Sequence, residues 1–351
     1  MGSKLSEKRL VREVPGALAG LLDVPPREVK VEQGGAPDAD LLVQAADHVF
    51  VVDVLGRVSP GPVVAHAERV TAAAKRLRRK ATPLLAAPFM TEAGRRACEG
   101  ARVPWFDLSG NAHIVAPGLR IIVDGRPNRF RGPGRPSSVF APKSARVVRW
   151  LLMHAEQALS QRELARATDM DEGFVSRIAS RLAADSYVVR EGGTLRVKDP
   201  ALLLDAWQAE YRFDRHTLIQ GSVAARSGDA LTHFVGDTFA AEDIGHAATG
   251  LSAAWQFSQF ASFRIATFFI TEPPSDELRA KLGFREEARG ANLWLVVPND
   301  IGVLQGAEER GGVRCVHPVQ AYVDLKGHPE RAKEAADRLR EELLASWRRD
   351  G

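Results

Sequence analysis

Gly173, Ser176, Arg177, Ser180 and Arg181 recur at steps of three and four residues, the spacing that gathers side chains on one face of a helix. Val175, Ile178 and Leu182 fall between them on the other face, where apolar groups seek a core. Small, hydroxyl and guanidinium side chains on one exposed face can approach a duplex closely. They can hydrogen-bond phosphates and read base edges in a major groove. A second pattern lies earlier in the chain. Asp40 and Asp53 could hold a divalent metal for phosphodiester hydrolysis. Two residues after Asp53, however, stands Leu55, which offers neither a proton acceptor nor a cation to activate water. The other reading of the two acids is strand-end carboxylates in turns.

The residues around the serine and arginine face supply what is needed to position it. Val147, Val148, Leu151 and Leu152 give a first helix one apolar side. Ser160 with Glu163 three residues on forms a capping box for a second helix, whose Leu164 and Ala167 turn inward. A turn at Asp169 and Met170 leads to Asp171, a good cap for the third helix. Two short strands, 187–190 and 194–197, flank Gly192-Gly193, a hairpin turn that makes a wing. This order predicts a winged helix-turn-helix over 143–198. Candidate DNA contacts are Ser160, Gln161, Arg162, Glu172, Gly173, Ser176, Arg177, Ser180 and Arg181. The alternative is a three-helix module that touches only protein.

Charge distribution favours the first reading. The whole chain carries only +4 over 351 residues. Between 125 and 155, however, stand Arg126, Arg129, Arg131, Arg135, Lys143, Arg146 and Arg149, with no acid among them. Such a run favours a phosphate backbone, and Arg129, Arg131, Arg135, Lys143 and Arg146 join the candidate contacts. The alternative is a solvated linker. A hydrophobic content of 45% and a charged content of 26% suit an ordinary globular protein with two or three cores. Cys98 and Cys315 stand far apart without metal-ligand spacing. They indicate no zinc site, no disulfide framework and a reducing, cytoplasmic setting. No apolar run is long enough for a membrane span and the start is no secretory signal.

Along the chain, hydrophobic periodicity predicts a helix over 5–22 and strands at 29–31, 41–43 and 49–54. A helix over 62–79 follows, ending in Lys75, Arg76, Arg78, Arg79 and Lys80. Next come a strand at 83–87, a helix over 91–100 opened by Thr91, and strands at 103–106, 112–115 and 119–123. This is an α/β layer. Residues 125–142, rich in Pro, Gly and Arg, predict a linker. Asp199-Pro200 opens a helix with the apolar stripe Leu203, Leu204, Trp207 and Tyr211. The remainder predicts helices at 231–241, 247–257, 276–282, 318–325 and 329–347, with strands at 264–270, 292–297 and 312–316. The expected organisation is multidomain α/β. It comprises 1–124 as a nuclease-like α/β domain, 125–142 as a basic linker, 143–198 as the winged helix and 199–351 as an α+β domain.

Several chemistries are excluded by what the sequence lacks. TGLSAAW, 249–255, could open a nucleotidyltransferase, but the following strand FRIATFF carries no acid for a metal. His317 and His328 stand too isolated to read as ligands, and no phosphate loop or nucleophile elbow occurs.

Two resemblances extend these readings. The order of elements up to residue 124, with Asp40 and Asp53 in place, resembles the PD-(D/E)xK nuclease core. Leu55 in place of the catalytic lysine implies a scaffold without the full active site. Three further stretches resemble the AbiEi family of type IV antitoxins: LLAAPFMTEAGRRACEGARVPWFDLSGNAHI (84–114), the winged helix with DPALLLDAWQAEYRF (199–213), and GANLWLVVPNDIGV (290–303) with HPVQAYVDLKGHPERAKEAADRLR (317–340). The resemblance implies a DNA-binding antitoxin that represses its own operon. It also implies a carboxy-terminal domain that neutralises a nucleotidyltransferase-like toxin without a tight complex. The family's usual form starts with a short winged helix, whereas here a nuclease-like domain precedes it. The expected partners are double-stranded DNA, that toxin and a second copy of the chain, with no membrane, cofactor, metal or catalysis of its own. The alternatives are a metal-dependent nuclease targeted by the winged helix, and a protein-binding adaptor.

Overall fold

The computed structural model describes residues 7–33, 35–36, 38–56, 58–77, 80–130, 138–260 and 262–349. The chain forms two compact units, residues 1–136 with 184–187, and residues 137–183 with 188–351. Of the winged-helix segment, residues 143–183 and 188–198 share a unit with the region beyond 199. No helix among the described residues is long and apolar enough to cross a membrane.

The first unit is a seven-stranded sheet in sequential order. Its elements are α1 (Glu7–Leu22), β1 (Lys30–Gln33), β2 (Leu41–Ala45), β3 (His48–Val54), α2 (Pro60–Arg76), β4 (Thr82–Ala87), α3 (Glu92–Ala101), β5 (Trp105–Asp107), β6 (Ala112–Ala116) and β7 (Leu119–Val123). β1 to β3 run antiparallel, β3 to β5 parallel with α2 and α3 as crossovers, and β5 to β7 antiparallel. Leu10, Val14 and Leu18 of α1 share a core with Phe50, Val52 and Val54 of β3. Val51 and Leu55 belong to the other core, with Val63, Ala67 and Val70 of α2. The two-residue period of a strand therefore sets Asp53 on the α2 face. Helix α2 stops at Arg76 rather than 79. Arg76 pairs with Asp38 at 2.7 Å, and Arg78 and Arg79 lie outside the described residues.

The second unit begins with α4 (Ala145–Met153), β8 (Leu159–Ser160), α5 (Gln161–Thr168), α6 (Glu172–Ala184), β9 (Val188–Glu191), β10 (Thr194–Val197) and α7 (Pro200–Glu210). It continues with β11 (Thr217–Ser222), α8 (Gly228–Ala241), β12 (His246–Ala248), α9 (Gly250–Ser258), β13 (Ala266–Ile270), α10 (Asp276–Leu282), β14 (Arg285–Glu286) and β15 (Leu293–Val297). It ends with β16 (Glu308–Arg310), β17 (Val313–Cys315), α11 (Pro318–Asp324) and α12 (Ala332–Arg349). A mixed sheet runs in the order β14-β11-β15-β13-β12-β17-β16. The helix expected over 247–257 is divided. Ala247 and Ala248 pair with Phe269 and Phe268 as a strand, and Gly250, at φ 56°, turns the chain into α9. A Cβ at Gly250 would stand 3.2 Å from the His328 ring. Strands β8, β11, β14 and β16 had no counterpart in the sequence reading. β8, β14 and β16 span three residues or fewer, too few to display an alternation.

Candidate nucleic-acid interface

Local chemistry builds the winged helix. Ser160 Oγ accepts from Glu163 N at 3.2 Å while Glu163 accepts from Ser160 N at 2.7 Å, completing the capping box of α5. The hydrogen bond from the Ser160 backbone holds the Glu163 carboxyl below its usual range. Asp169 closes α5 in the left-handed region at φ 52°, a conformation in which aspartate is among the more tolerant residues. Asp171 caps α6 by accepting from Phe174 N at 3.0 Å. A Cβ at Gly173 would lie 3.0 Å from Asp171 Oδ1, so this glycine also keeps the cap uncrowded. Gly192 and Gly193, at φ 57° and 85°, make the tight turn of the wing. β10 pairs with both β9 and β8, tying the wing to the start of α5.

Helix α6 buries Val175, Ile178, Ala179 and Leu182. Its other face exposes Glu172, Gly173, Arg177, Ser180 and Arg181, with Ser176 half-buried. The structure thus brings these predicted residues together on one surface. Arg177 stacks its guanidinium 5.4 Å from the Phe174 ring centre, and the Lys143 ammonium lies 5.8 Å from the same ring. Two cations are held beside α6 by one aromatic side chain. Ser180 Oγ donates to Ser176 O at 2.8 Å and accepts from Arg190 Nη2 at 3.0 Å, bridging α6 to the wing. Arg162 is exposed and Gln161 half-buried in the first turn of α5, where Ser160 Oγ is taken up by the cap. Arg190 and Arg196, both exposed on the wing, were missed from sequence. The available signal was a basic residue on each side of the Gly192-Gly193 turn.

Other predicted contacts part from this surface. Arg146 is no phosphate contact here. Its Nε and Nη2 donate to Asp300 at 2.7 and 3.1 Å, Nη1 donates to Thr168 O, and its side chain is only 14% exposed. Arg149, counted in the basic run, is buried. It donates through Nε and Nη2 to Gln320 Oε1 at 2.8 and 2.7 Å, and through Nη1 to Gln305 at 3.2 Å. The run of cations overstates the exposed charge because α4 packs both arginines against α7, α11 and the 301–304 turn. Arg129 is exposed in the first unit, with its backbone N donating to Ser109 Oγ at 3.2 Å. Arg131 and Arg135 lie outside the described residues.

The DLSGN segment of the first unit is a structural knot. Asp107 is buried and accepts from Met90 N, Asn111 N and Asn111 Nδ2 at 2.9–3.0 Å. Asn111 in turn accepts from Arg126 N and donates to Arg126 O, which anchors the start of the basic stretch.

The two nuclease-type acids do converge, but an arginine of the chain itself pairs with Asp53. Asp53, fully buried, receives Arg69 Nε and Nη2 at 2.8 and 2.7 Å, a bidentate pair. His66 Nδ1 lies 3.0 Å from both Asp53 and Arg69 Nη2, serving one or the other according to its tautomer. Burial pulls the Asp53 pKa up, but hydrogen bonds from His66, Asp40 and Arg69 outweigh it and leave it lowered. Asp40 accepts from Val54 N at 2.7 Å. Burial, then the hydrogen bond with Asp53, pushes its carboxyl up to about 6. Leu55 is fully buried. Among the described residues no group of three or more His, Cys, Asp or Glu is placed to hold a metal. Arg69 and His66 were missed from sequence: their three-residue spacing puts them on one face of α2, but only the packing of α2 on β3 turns that face toward Asp53.

Three helices, a helix-turn-helix with a cationic second helix, and a two-stranded wing define a winged-helix domain. Residues 141–194 match the MarR family, whose domain type is that of DNA-binding transcriptional regulators. No curated protein and no solved structure matches the chain.

Proposed function

We propose that the protein is a sequence-specific transcriptional repressor of its own operon, acting as an AbiEi-like antitoxin. The observation that carries the DNA-binding part is the joined surface of Arg177, Arg181, Ser180 and Arg190. There a helix of the right width for a major groove and a wing share a hydrogen bond. Ser176, Arg177 and Arg181 read bases and the wing arginines grip phosphates. The antitoxin part rests on the resemblance of 84–114, 199–213, 290–303 and 317–340 to that family. Its partner is a nucleotidyltransferase-like toxin neutralised without a tight complex. A gel-shift titration of the full chain on DNA from upstream of its own reading frame tests repression. Nanomolar retention that survives excess unrelated DNA supports it, and equal affinity for both DNAs overturns it. Relief of growth arrest when the chain is co-expressed with the toxin of a neighbouring frame tests the antitoxin role.

In this reading the first unit is catalytically silent. Asp53 already has a bidentate arginine where a metal would sit, and Leu55 supplies no base. DNA incubated with the protein and Mg²⁺ or Mn²⁺ should stay intact. Cleavage that disappears in Asp53→Ala would favour the nuclease instead.

A further inference from the structure

Trp105 Nε1, His154 Nε2 and Trp207 Nε1 are buried in this molecule without a hydrogen-bond partner. Trp105 also lines a cavity, in the first unit, but the arginine over Trp207, unlike Arg95 over Trp105, is buried, and Trp207 forms a wall of a cavity in the second unit. The cavity has a volume of about 40 Å³ and is bounded by Phe140, Ala145, Arg149, Tyr211, Arg215 and Val303 among others. Trp207 is fully buried and Arg149 is 2% exposed. The Arg149 guanidinium sits 5.2 Å from the Trp207 ring centre. An arginine carries five N–H donors, and the bonds of Arg149 to Gln320 and Gln305 use three. Two guanidinium N–H groups and one indole N–H are therefore buried with no acceptor supplied by the fold, a cost a protein rarely leaves uncompensated.

Of the side-chain acceptors that border the cavity, those of Asp300, Glu210, Tyr211 and His216 are already engaged, and Asn299 is exposed. Asp300 binds Arg146 at 2.7 Å, and Glu210 accepts from Ser138 Oγ at 2.6 Å. Tyr211 donates to Asp324, and its oxygen lies 2.8 Å from His216 Nε2. His216 Nδ1 accepts from Asn299 N at 3.1 Å. Arg215 lies exposed at the rim. The wall thus offers surplus donors and positive charge. The volume corresponds to about three water-sized atoms, since one water needs roughly 10–15 Å³ on this measure. That number of atoms is a carboxylate group.

We propose that this cavity binds a small monocarboxylate, with one oxygen taking Trp207 Nε1–H and the other a free N–H of Arg149, and Arg215 attracting the anion at the rim. The site does not depend on DNA binding. The probe is sodium formate, titrated into the full chain labelled with ¹⁵N at its indoles, against sodium chloride at equal ionic strength. The Trp207 resonance is identified by its loss in Trp207→Phe. It should move downfield and saturate with a millimolar midpoint, and Arg215→Gln, an exposed change, should weaken that midpoint at least threefold. A shift matched by chloride overturns the proposal. So does a Trp207 resonance that stays in place, or a midpoint unchanged in Arg215→Gln.

Discussion

Helices α4 and α6 of the winged helix each carry two arginines, and the fold treats them oppositely. On α4, Arg146 is tied to Asp300 and Arg149 is buried over Trp207. On α6, Arg177 and Arg181 stay at the surface. The residue type is the same and the helices lie within one small domain. The difference is cover. α4 is flanked by α7, α11 and the 301–304 turn, which supply carboxylate, amide and aromatic partners for a desolvated guanidinium. On α6 the buried positions make one apolar stripe, and its outer face leaves both guanidinium groups exposed. A basic run in a sequence therefore measures charge, while the packing of neighbouring elements decides how much of it can meet DNA.

The comparison breaks first at Arg149. Arg149→Ala should destabilise the second unit by about 3–5 kcal/mol, because loss of the buried cation leaves the Gln320 and Gln305 side-chain carbonyls without the donors they bind. Urea unfolding measures this, and a loss under about 1 kcal/mol would show that α4 does not depend on the arginine. Arg177→Ala should do the reverse. Operator affinity should fall by about 1–3 kcal/mol if it reads a guanine, with the melting temperature unchanged, and a gel shift beside a thermal scan separates the two.

The buried end of the α4 network also carries a pH signature. Burial pushes the Asp324 carboxyl up to about 7, against hydrogen bonds from Thr249, Tyr211 and Gln320 that pull it down. A carboxyl raised in the folded state favours folding while it is protonated. Its contribution is complete below about 4 and is lost as pH rises toward 7. His216, His317 and His328, held neutral by burial to about 4, act the other way, losing stability as pH falls below their unfolded value of 6.5. The test is therefore a difference. Between pH 5 and 8 the stability gap between wild type and Asp324→Asn should shift in favour of the variant, and a gap constant with pH would place the titration elsewhere. The smallest effect belongs to Arg129, exposed in the first unit. Arg129→Ala should lower the salt slope of DNA binding by about one with base preference unaltered. A changed preference with an unaltered slope would make Arg129 a reader of bases.

What could be read from the sequence was whatever depends on near neighbours along the chain. The capping box of Ser160 and Glu163, the Asp171 cap, the Gly192-Gly193 turn and the apolar stripe of α6 each involve residues within four positions, so their geometry follows from backbone hydrogen bonding alone. The central strands of the first unit were legible as short β-rich or apolar runs bounded by turns, the pattern of strands buried on both faces. The division of 247–257 into strand and helix was not, because its alanines and leucine suit either and pairing with β13 settled it. Tertiary structure alone decided the fate of the charges. Asp53 meets Arg69 across a strand and a helix, Arg146 meets Asp300 from 154 positions away and Arg149 meets Gln320 from 171. Electrostatic partners act through space, and only the folded chain defines the distance between them and the water removed from around them.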